Sequence, residues 1–401
     1  MLVKINAINL FSPKIGFPFL YILINMLGFY KFSFRLFLCL VIFYLTYYLG
    51  IIVCQFQYRD YGINRLNFQN CFRAGNVIQS KALYFLSKCM TVIYLFLIVF
   101  QYLRIGINNA DTFRLNWLHG IPMGTFWSLL LSLGLIYFVY VLTKKYIIKQ
   151  VSCISYIFWS ICIIGIVSLL GSRSVLSIVF FSSFFVFYCS EKVSSKKTLY
   201  ITFIVLVLFI LLRIVSILYG SDERLIYYLE SGKIDYSNPI TTLWNFIVLT
   251  VEDIGYRTQK IIDSVPEIIG YTKGESLFFS FYSMLPGEQI NPAIKLNHEL
   301  FFGSSEDVGY PPTIVAQIYL DFGYIGLFIV PLIIGYWYEY FYMKARKYCS
   351  QNGFLFYMIF TYCLLLSCYG EFLIFNLLRF IVFIAFWNLL KQICLSGFRT
   401  Y

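Results

Sequence analysis

Residues 36–56 read LFLCLVIFYLTYYLGIIVCQF, a run of 21 residues without a charged side chain. A hydrocarbon core about 30 Å thick needs about 20 such residues in a helix, so this run predicts a membrane-spanning helix. The rest of the chain has the same character, because 60% of its 401 residues are hydrophobic and only 12% are charged. That charged share is about half of what soluble domains carry. The composition therefore excludes a water-soluble globular protein.

Similar apolar runs recur along the whole chain. They give ten candidate spans, with approximate bounds 15–30, 36–56, 89–107, 121–142, 151–171, 174–190, 198–219, 313–337, 354–370 and 371–393. The sequence therefore predicts an all-α polytopic integral membrane protein. It divides into residues 1–219 with seven spans, residues 220–312 as one large loop, and residues 313–401 with three spans and the C-terminus.

The basic residues set the expected orientation. Short segments on the N-terminal side of the membrane hold 18 Lys and Arg residues, and short segments on the other side hold five. Lys and Arg concentrate in cytoplasmic loops, so both termini are predicted in the cytoplasm and residues 220–312 outside. The net charge of +12 is spread in small groups between apolar runs. It therefore indicates topology and not nucleic-acid binding.

The large loop differs in composition from the rest of the chain. Residues 220–313 hold 13 of the 19 acidic residues and six basic ones. Asn238-Pro239 is a helix-start signal, and apolar residues then recur at helical spacing: Ile240, Leu243, Ile247, Val251, Ile254, Ile261 and Val265. The pattern predicts an amphipathic helix of about seven turns that ends before Pro266. Its predicted polar face carries Glu252, Asp253, Arg257 and Lys260.

Five arginines are predicted near the outer surface. Arg173 lies in the turn GSRS at residues 171–174, and the others follow from the span and loop assignments: Arg104, Arg213, Arg224 and Arg257. A guanidinium group is a planar fork that binds phosphate through two parallel hydrogen bonds, so these residues are candidates for one phosphate site. The alternative is that they anchor the chain at the headgroups, or that Arg257 pairs with Asp253 on its own helix.

Four further residues need an interpretation: Asp321, His298, Gly323 and Gly326. Asp321 is predicted about 12 Å inside the eighth span, where a structural ion pair with Arg379 is the default interpretation. His298, next to Glu299, is a candidate general base, with a solvated loop histidine as the alternative.

The two histidines are far apart and no CxxC pair occurs, so no metal site and no cofactor are predicted. Gly323 and Gly326 are predicted to allow close contact between helices.

Two stretches carry a resemblance to a known family. Residues 309–314 read GYPPTI and residues 319–326 read YLDFGYIG. With ten spans, the GSR turn and one large loop before the last three spans, the chain resembles the O-antigen polymerase (Wzy-type, oligosaccharide repeat unit polymerase) family. The resemblance implies a glycosyltransferase of the bacterial inner membrane, with the large loop in the periplasm. Its implied substrates are oligosaccharides linked to undecaprenyl pyrophosphate, and its implied partners are membrane lipids and a chain-length regulator and flippase of the same pathway.

The resemblance also implies roles for the candidate residues. Arg173, Arg213 and Arg257 would clamp the departing pyrophosphate, and His298 would activate the acceptor. The candidate substrate-binding residues are Arg104, Arg224, Glu252 and Asp321. The absence of a GxxxxGK[ST] motif agrees with a donor that already carries pyrophosphate. The alternatives are an O-antigen ligase with lipid A core as acceptor, a flippase for lipid-linked oligosaccharide, and a membrane acyltransferase.

Overall fold

The computed structural model describes residues 12–19, 21–22, 33–58, 81–105, 124–169, 173–189, 245, 254–279, 293, 295–296, 299, 312–347 and 351–368. Within these residues the regular structure is entirely helical. The helices of more than ten residues are α1 (Phe34–Gln57), α2 (Lys81–Ile105), α3 (Gly124–Ile147), α4 (Cys153–Ser168), α5 (Arg173–Cys189), α6 (254–264), α7 (Ile314–Lys347) and α8 (Gln351–Ser367). Residues 16–19 and 21–22 are also helical.

The membrane character predicted from composition is confirmed by the helices. Four of those described are long and apolar enough to cross a membrane: Phe34–Gln57, Tyr84–Arg104, Leu130–Ile147 and Ile314–Ala345. Three shorter apolar helices cover Cys153–Val167, Val175–Cys189 and Gly353–Ser367. The protein is therefore an all-α membrane protein.

These seven helices overlap seven of the ten predicted spans. The predicted spans 198–219 and 371–393 lie outside the described residues, and of 15–30 the structure describes only 15–19, 21 and 22. The full set of ten spans and the external position of residues 220–312 thus remain predictions.

The chain divides into two compact units. The first comprises residues 1–64, 216–345 and 353–378, and the second comprises residues 65–215, 346–352 and 379–401. The first unit contains α1, α6, most of α7 and most of α8. The second contains α2 to α5.

The second unit packs around α3. The buried core draws on all four helices, with Ile98 of α2, Phe138 of α3, Val167 of α4 and Val179 of α5 among its members. Within the span Leu130–Ile147, 72% of the residues are buried, more than in any other described span. Helix α3 is therefore the central helix of this unit.

Two glycines bring α1 and α7 together in the first unit. A Cβ atom on Gly50 would lie 2.1 Å from the carbonyl oxygen of Leu332, and one on Gly335 would lie 2.1 Å from that of Tyr47. The two backbones therefore touch at this crossing. Small residues permit such close approach between membrane helices, where van der Waals packing drives association.

Gly50→Ala is expected to weaken this crossing. The methyl group overlaps a backbone carbonyl that cannot rotate away, and overpacking of this kind costs about 1–3 kcal/mol. Thermal unfolding of the purified protein in detergent checks this. Gly165→Ala is the matched control, because its Cβ would meet nothing within 4 Å. An unchanged unfolding temperature for Gly50→Ala would contradict the crossing.

A second contact between these helices lies where a proline interrupts the backbone hydrogen bonds of α7. Pro331 lies inside α7 and has no N–H, so the carbonyl of Leu327 lacks its usual helical partner. The Thr46 hydroxyl of α1 lies 2.9 Å from that oxygen and 2.8 Å from the Ile42 carbonyl of its own helix, so its one proton can be donated to either. Backbone groups without a partner are costly inside a membrane, and a neighbouring threonine is one way to satisfy them.

Candidate functional site

Helix α7 is broken at Gly323, in the stretch that carries the family resemblance. Gly323 has φ 60° and ψ −145°, a conformation essentially reserved for glycine. The break removes the normal helical partners of the carbonyls just before it. The backbone N–H of Thr272 donates to the Leu320 carbonyl, and that of Lys273 donates to the Asp321 carbonyl, both at 3.1 Å. Residues 271–279, called the docked loop below, thus complete the broken helix.

The Asp321 carboxylate fixes the same loop from within the helix. It accepts hydrogen bonds from the backbone N–H of Ser276 at 3.1 Å and of Leu277 at 2.6 Å, and a further one from the Thr272 hydroxyl. Gln317, one helical turn earlier, donates through Nε2 to the Ser276 carbonyl at 3.1 Å. Asp321 is only 1% exposed, so its carboxylate has lost its contact with water. The hydrogen bonds from the docked loop replace that contact.

These contacts change the interpretation of Asp321. The sequence favoured an ion pair with Arg379, which lies outside the described residues, whereas the carboxylate is held by hydrogen-bond donors of the docked loop. The described contacts of Asp321 thus hold the docked loop, and its predicted role in substrate binding stays a prediction. The anchoring loop residues went unnoticed in the sequence because they lie 44 to 49 positions away.

The nearest described neighbours of Gly323 and Gly326 are the docked loop and their own helix, so their predicted contact with another helix stays a prediction. A Cβ on Gly323 would lie 2.8 Å from the hydroxyl of Tyr271 in the docked loop. A Cβ on Gly326 would meet Phe322 and Ile318 of its own helix. Among the residues that the structure describes, a close contact between two helices of this unit occurs at Gly50 and Gly335.

Arg257 lies on the buried face of α6, which corrects its predicted place on the polar face. Its side chain is 1% exposed, and it is the largest of the fully buried side chains described. The neighbouring positions Ile254 and Ile261 are also buried. Their spacing of three and four residues from Arg257 is the sequence signal that could have placed it there.

Buried hydroxyl groups connect α6 to the start of α7. The hydroxyls of Thr258 and Thr313 lie 2.8 Å apart, and the Tyr21 hydroxyl donates to Thr313 at 3.4 Å. Thr258, which follows Arg257 directly, is fully buried. These hydroxyls therefore form a buried polar contact between α6 and the start of α7.

The other candidate residues are distributed as follows. Arg173 is the first residue of α5, and Arg104 lies exposed in the last turn of α2. Both belong to the second unit. The remaining candidates lie outside the described residues: Arg213, Arg224, Glu252 and His298. In the first unit the structure therefore brings Arg257 and Asp321 into one folded body, and the assembly of the arginines at one site remains a prediction.

No group of three potential metal ligands occurs among the residues described by the structure. Comparisons with models of protein families, with curated protein sequences and with solved structures return no match for this chain.

Proposed function

We propose that this protein is an O-antigen polymerase of the bacterial inner membrane. It joins oligosaccharide repeat units that are linked to undecaprenyl pyrophosphate. The main support for the proposal is the local structure of residues 319–326. The family resemblance is most specific there, and the same residues interrupt a membrane helix and hold the docked loop on it.

In this proposal the protein has ten spans, cytoplasmic termini and a periplasmic loop over residues 220–312. The docked loop contacts α7 at Leu320 and Asp321, about two helical turns after the helix begins at Ile314. In this proposal that end of α7 faces the periplasm, where a lipid-linked donor presents its pyrophosphate. Holding two bulky lipid-linked glycans in register is a task of positioning, for which such an anchored loop is suited.

The proposed reaction transfers the growing glycan to a sugar hydroxyl of the next repeat unit. The bond between the anomeric carbon and the pyrophosphate oxygen breaks, and a bond from that carbon to the acceptor oxygen forms. The acceptor proton passes to a base, for which His298 remains the proposed residue. Undecaprenyl pyrophosphate leaves with the bonding electrons, and the charge on its oxygen is the charge that requires stabilisation.

Arginines supply that stabilisation in the proposed mechanism. Arg257 is assigned to the leaving group together with Arg173 and Arg213, while Arg104, Arg224 and Glu252 contact the substrates. Preorganised donors in a shielded site are usually the largest single contribution to catalysis of this kind. The burial of Arg257 supports its assignment, because electrostatic interactions are stronger where solvent is excluded. A chain-length regulator and a flippase are the proposed protein partners.

Deletion of the protein from its host tests the proposed function. The expected lipopolysaccharide carries the core with a single repeat unit, because ligation continues while polymerisation stops. A gel of extracted lipopolysaccharide, with the wild-type ladder restored from a plasmid as the control, measures this. Core without any repeat would point instead to a ligase or a flippase.

A further inference from the structure

The exposure of α7 changes at its break. Residues 314–321 are all buried, whereas exposed apolar side chains recur at helical spacing after Gly323: Ile325, Phe328, Ile329, Ile333 and Trp337. In a helix that crosses a membrane, an exposed apolar stripe faces the lipid. The lipid-facing surface of α7 therefore begins just after the break.

The lipid-facing surface of α1 begins at the first residue of that helix. Phe34 is 80% exposed, and Phe37 and Leu38 follow as exposed apolar residues. Glu267 forms an ion pair with Arg35 at 3.3 Å, so the segment that follows Glu267 starts beside this end of α1. Because the docked loop contacts α7 at its break, residues 268–279 lie next to the first lipid-facing residues of both helices.

This segment presents large apolar side chains of its own. Ile268 is 76% exposed, and Tyr271 and Phe278 are exposed as well. These three residues are called the apolar patch below. Adjacent exposed apolar side chains mark a surface that interacts with a partner or with a membrane.

The contacts of the apolar patch show that it adjoins the lipid-facing surface of α7. A Cβ atom on Gly323 would lie 2.8 Å from the Tyr271 hydroxyl. A Cβ atom on Gly274 would lie 3.0 Å from the ring of Phe322 and 3.2 Å from that of Phe278. Both exposed rings of the docked loop are therefore at the break, where the lipid-facing stripe starts.

The backbone of the segment is already paired within the protein. The N–H groups of residues 268, 269, 272, 273 and 275–279 all donate to carbonyl or carboxylate oxygens, at 2.6 to 3.4 Å. An unpaired backbone group is costly in hydrocarbon, so an irregular segment can enter the edge of a membrane only when such groups have partners. This segment meets that condition.

We propose that the apolar patch dips into the membrane and contacts phospholipid acyl chains in the leaflet that surrounds the start of α1 and the break of α7. Tyr271 then lies at the membrane interface, where tyrosine is enriched in membrane proteins. The exposed charged residues Lys273 and Glu275 of the same segment remain among the headgroups. The inference concerns the position of this segment at the membrane and stands independently of the polymerase proposal.

The test is photo-crosslinking of the purified full-length protein to lipid in phosphatidylcholine nanodiscs. The photoreactive amino acid p-benzoylphenylalanine, which attacks C–H bonds in contact with it, replaces Ile268 in one variant and Phe278 in another. Phe328, on the lipid-facing stripe of α7, is the positive reference. Glu299, an exposed acid paired with Lys295 at 3.9 Å, is the polar control. Mass spectrometry of the irradiated protein measures the lipid adduct.

The probes at Ile268 and Phe278 are expected to give at least about tenfold more lipid adduct than the probe at Glu299, because apolar burial shifts the distribution of a side chain between water and lipid by about that factor. Elution from a sizing column verifies that each variant is folded. A yield at Ile268 no higher than at Glu299, while Phe328 reacts, would overturn the proposal. Crosslinks from Ile268 to the protein's own chain alone would also overturn it, because another segment would then cover the patch.

Discussion

Arg257→Lys is expected to yield a folded protein that extends the glycan about 100-fold more slowly than wild type. Lysine keeps the charge at this buried position but replaces a planar fork by a single ammonium group, so the bidentate contact with pyrophosphate is lost. Loss of one preorganised donor from a catalytic site typically costs two to three orders of magnitude, which sets this estimate of about 100-fold. The lipopolysaccharide ladder of a complemented deletion strain measures the effect, together with the amount of protein in the membrane.

Lys260→Gln is the matched control for Arg257→Lys. Lys260 lies three residues further along α6, is half-buried and contacts the ring of Tyr256 at 5.2 Å. Its substitution should leave the ladder normal. A normal ladder in Arg257→Lys would remove Arg257 from the leaving-group clamp and leave it with a structural role. Arg257→Ala is expected to reduce the amount of folded protein as well, since it deletes the largest fully buried side chain described.

Asp321→Ala is expected to destabilise the first unit by about 3–5 kcal/mol. The substitution leaves the backbone N–H groups of Ser276 and Leu277 without their acceptor in a buried position, and each such group costs about 1–3 kcal/mol. The docked loop should then detach from the broken helix. Limited proteolysis between residues 271 and 279 and the thermal unfolding temperature measure both consequences.

Asp263→Ala is the control for this prediction, because Asp263 is an exposed acid that accepts a hydrogen bond from the Ser33 hydroxyl at 3.1 Å. It is expected to change stability by less than about 1 kcal/mol. Full abundance and normal protease resistance in Asp321→Ala, combined with loss of chain extension, would contradict the anchoring role. That outcome would return Asp321 to the substrate-binding residues.

The helices of this protein follow from local sequence signals. Residues 36–56 lack charges, and α1 covers them from Phe34 to Gln57. Thr313 follows two prolines, and α7 begins at the next residue. Helix α6 ends at residue 264, two residues before Pro266, as expected because proline disfavours the continuation of a helix. The length of an apolar run, its composition and its flanking proline or capping residues are all properties of neighbouring positions. A single sequence is therefore enough to predict these helices.

The contacts that organise the first unit could not be derived in this way. Gly50 and Gly335 meet across 285 positions, and glycine spacing alone drew attention to Gly323 and Gly326 instead. The docked loop is held by a carboxylate 44 or more positions away. Pairings of this kind depend on which helices become neighbours, and no local pattern encodes that choice. Arg257 was predicted on the polar face of its helix for a different reason. Its charge was given more weight than its helical spacing from the apolar residues Ile254 and Ile261, which are buried with it.

The most direct test of the polymerase proposal is elongation by the purified protein in proteoliposomes. The only substrate supplied is a single repeat unit linked to undecaprenyl pyrophosphate, without nucleotide and without lipid A core. The expected product is a ladder of longer glycans, still linked to the lipid, with undecaprenyl pyrophosphate released once for each bond formed. A reaction that leaves the single repeat unchanged, and transfers it only after lipid A core is added, would contradict the proposal and identify a ligase.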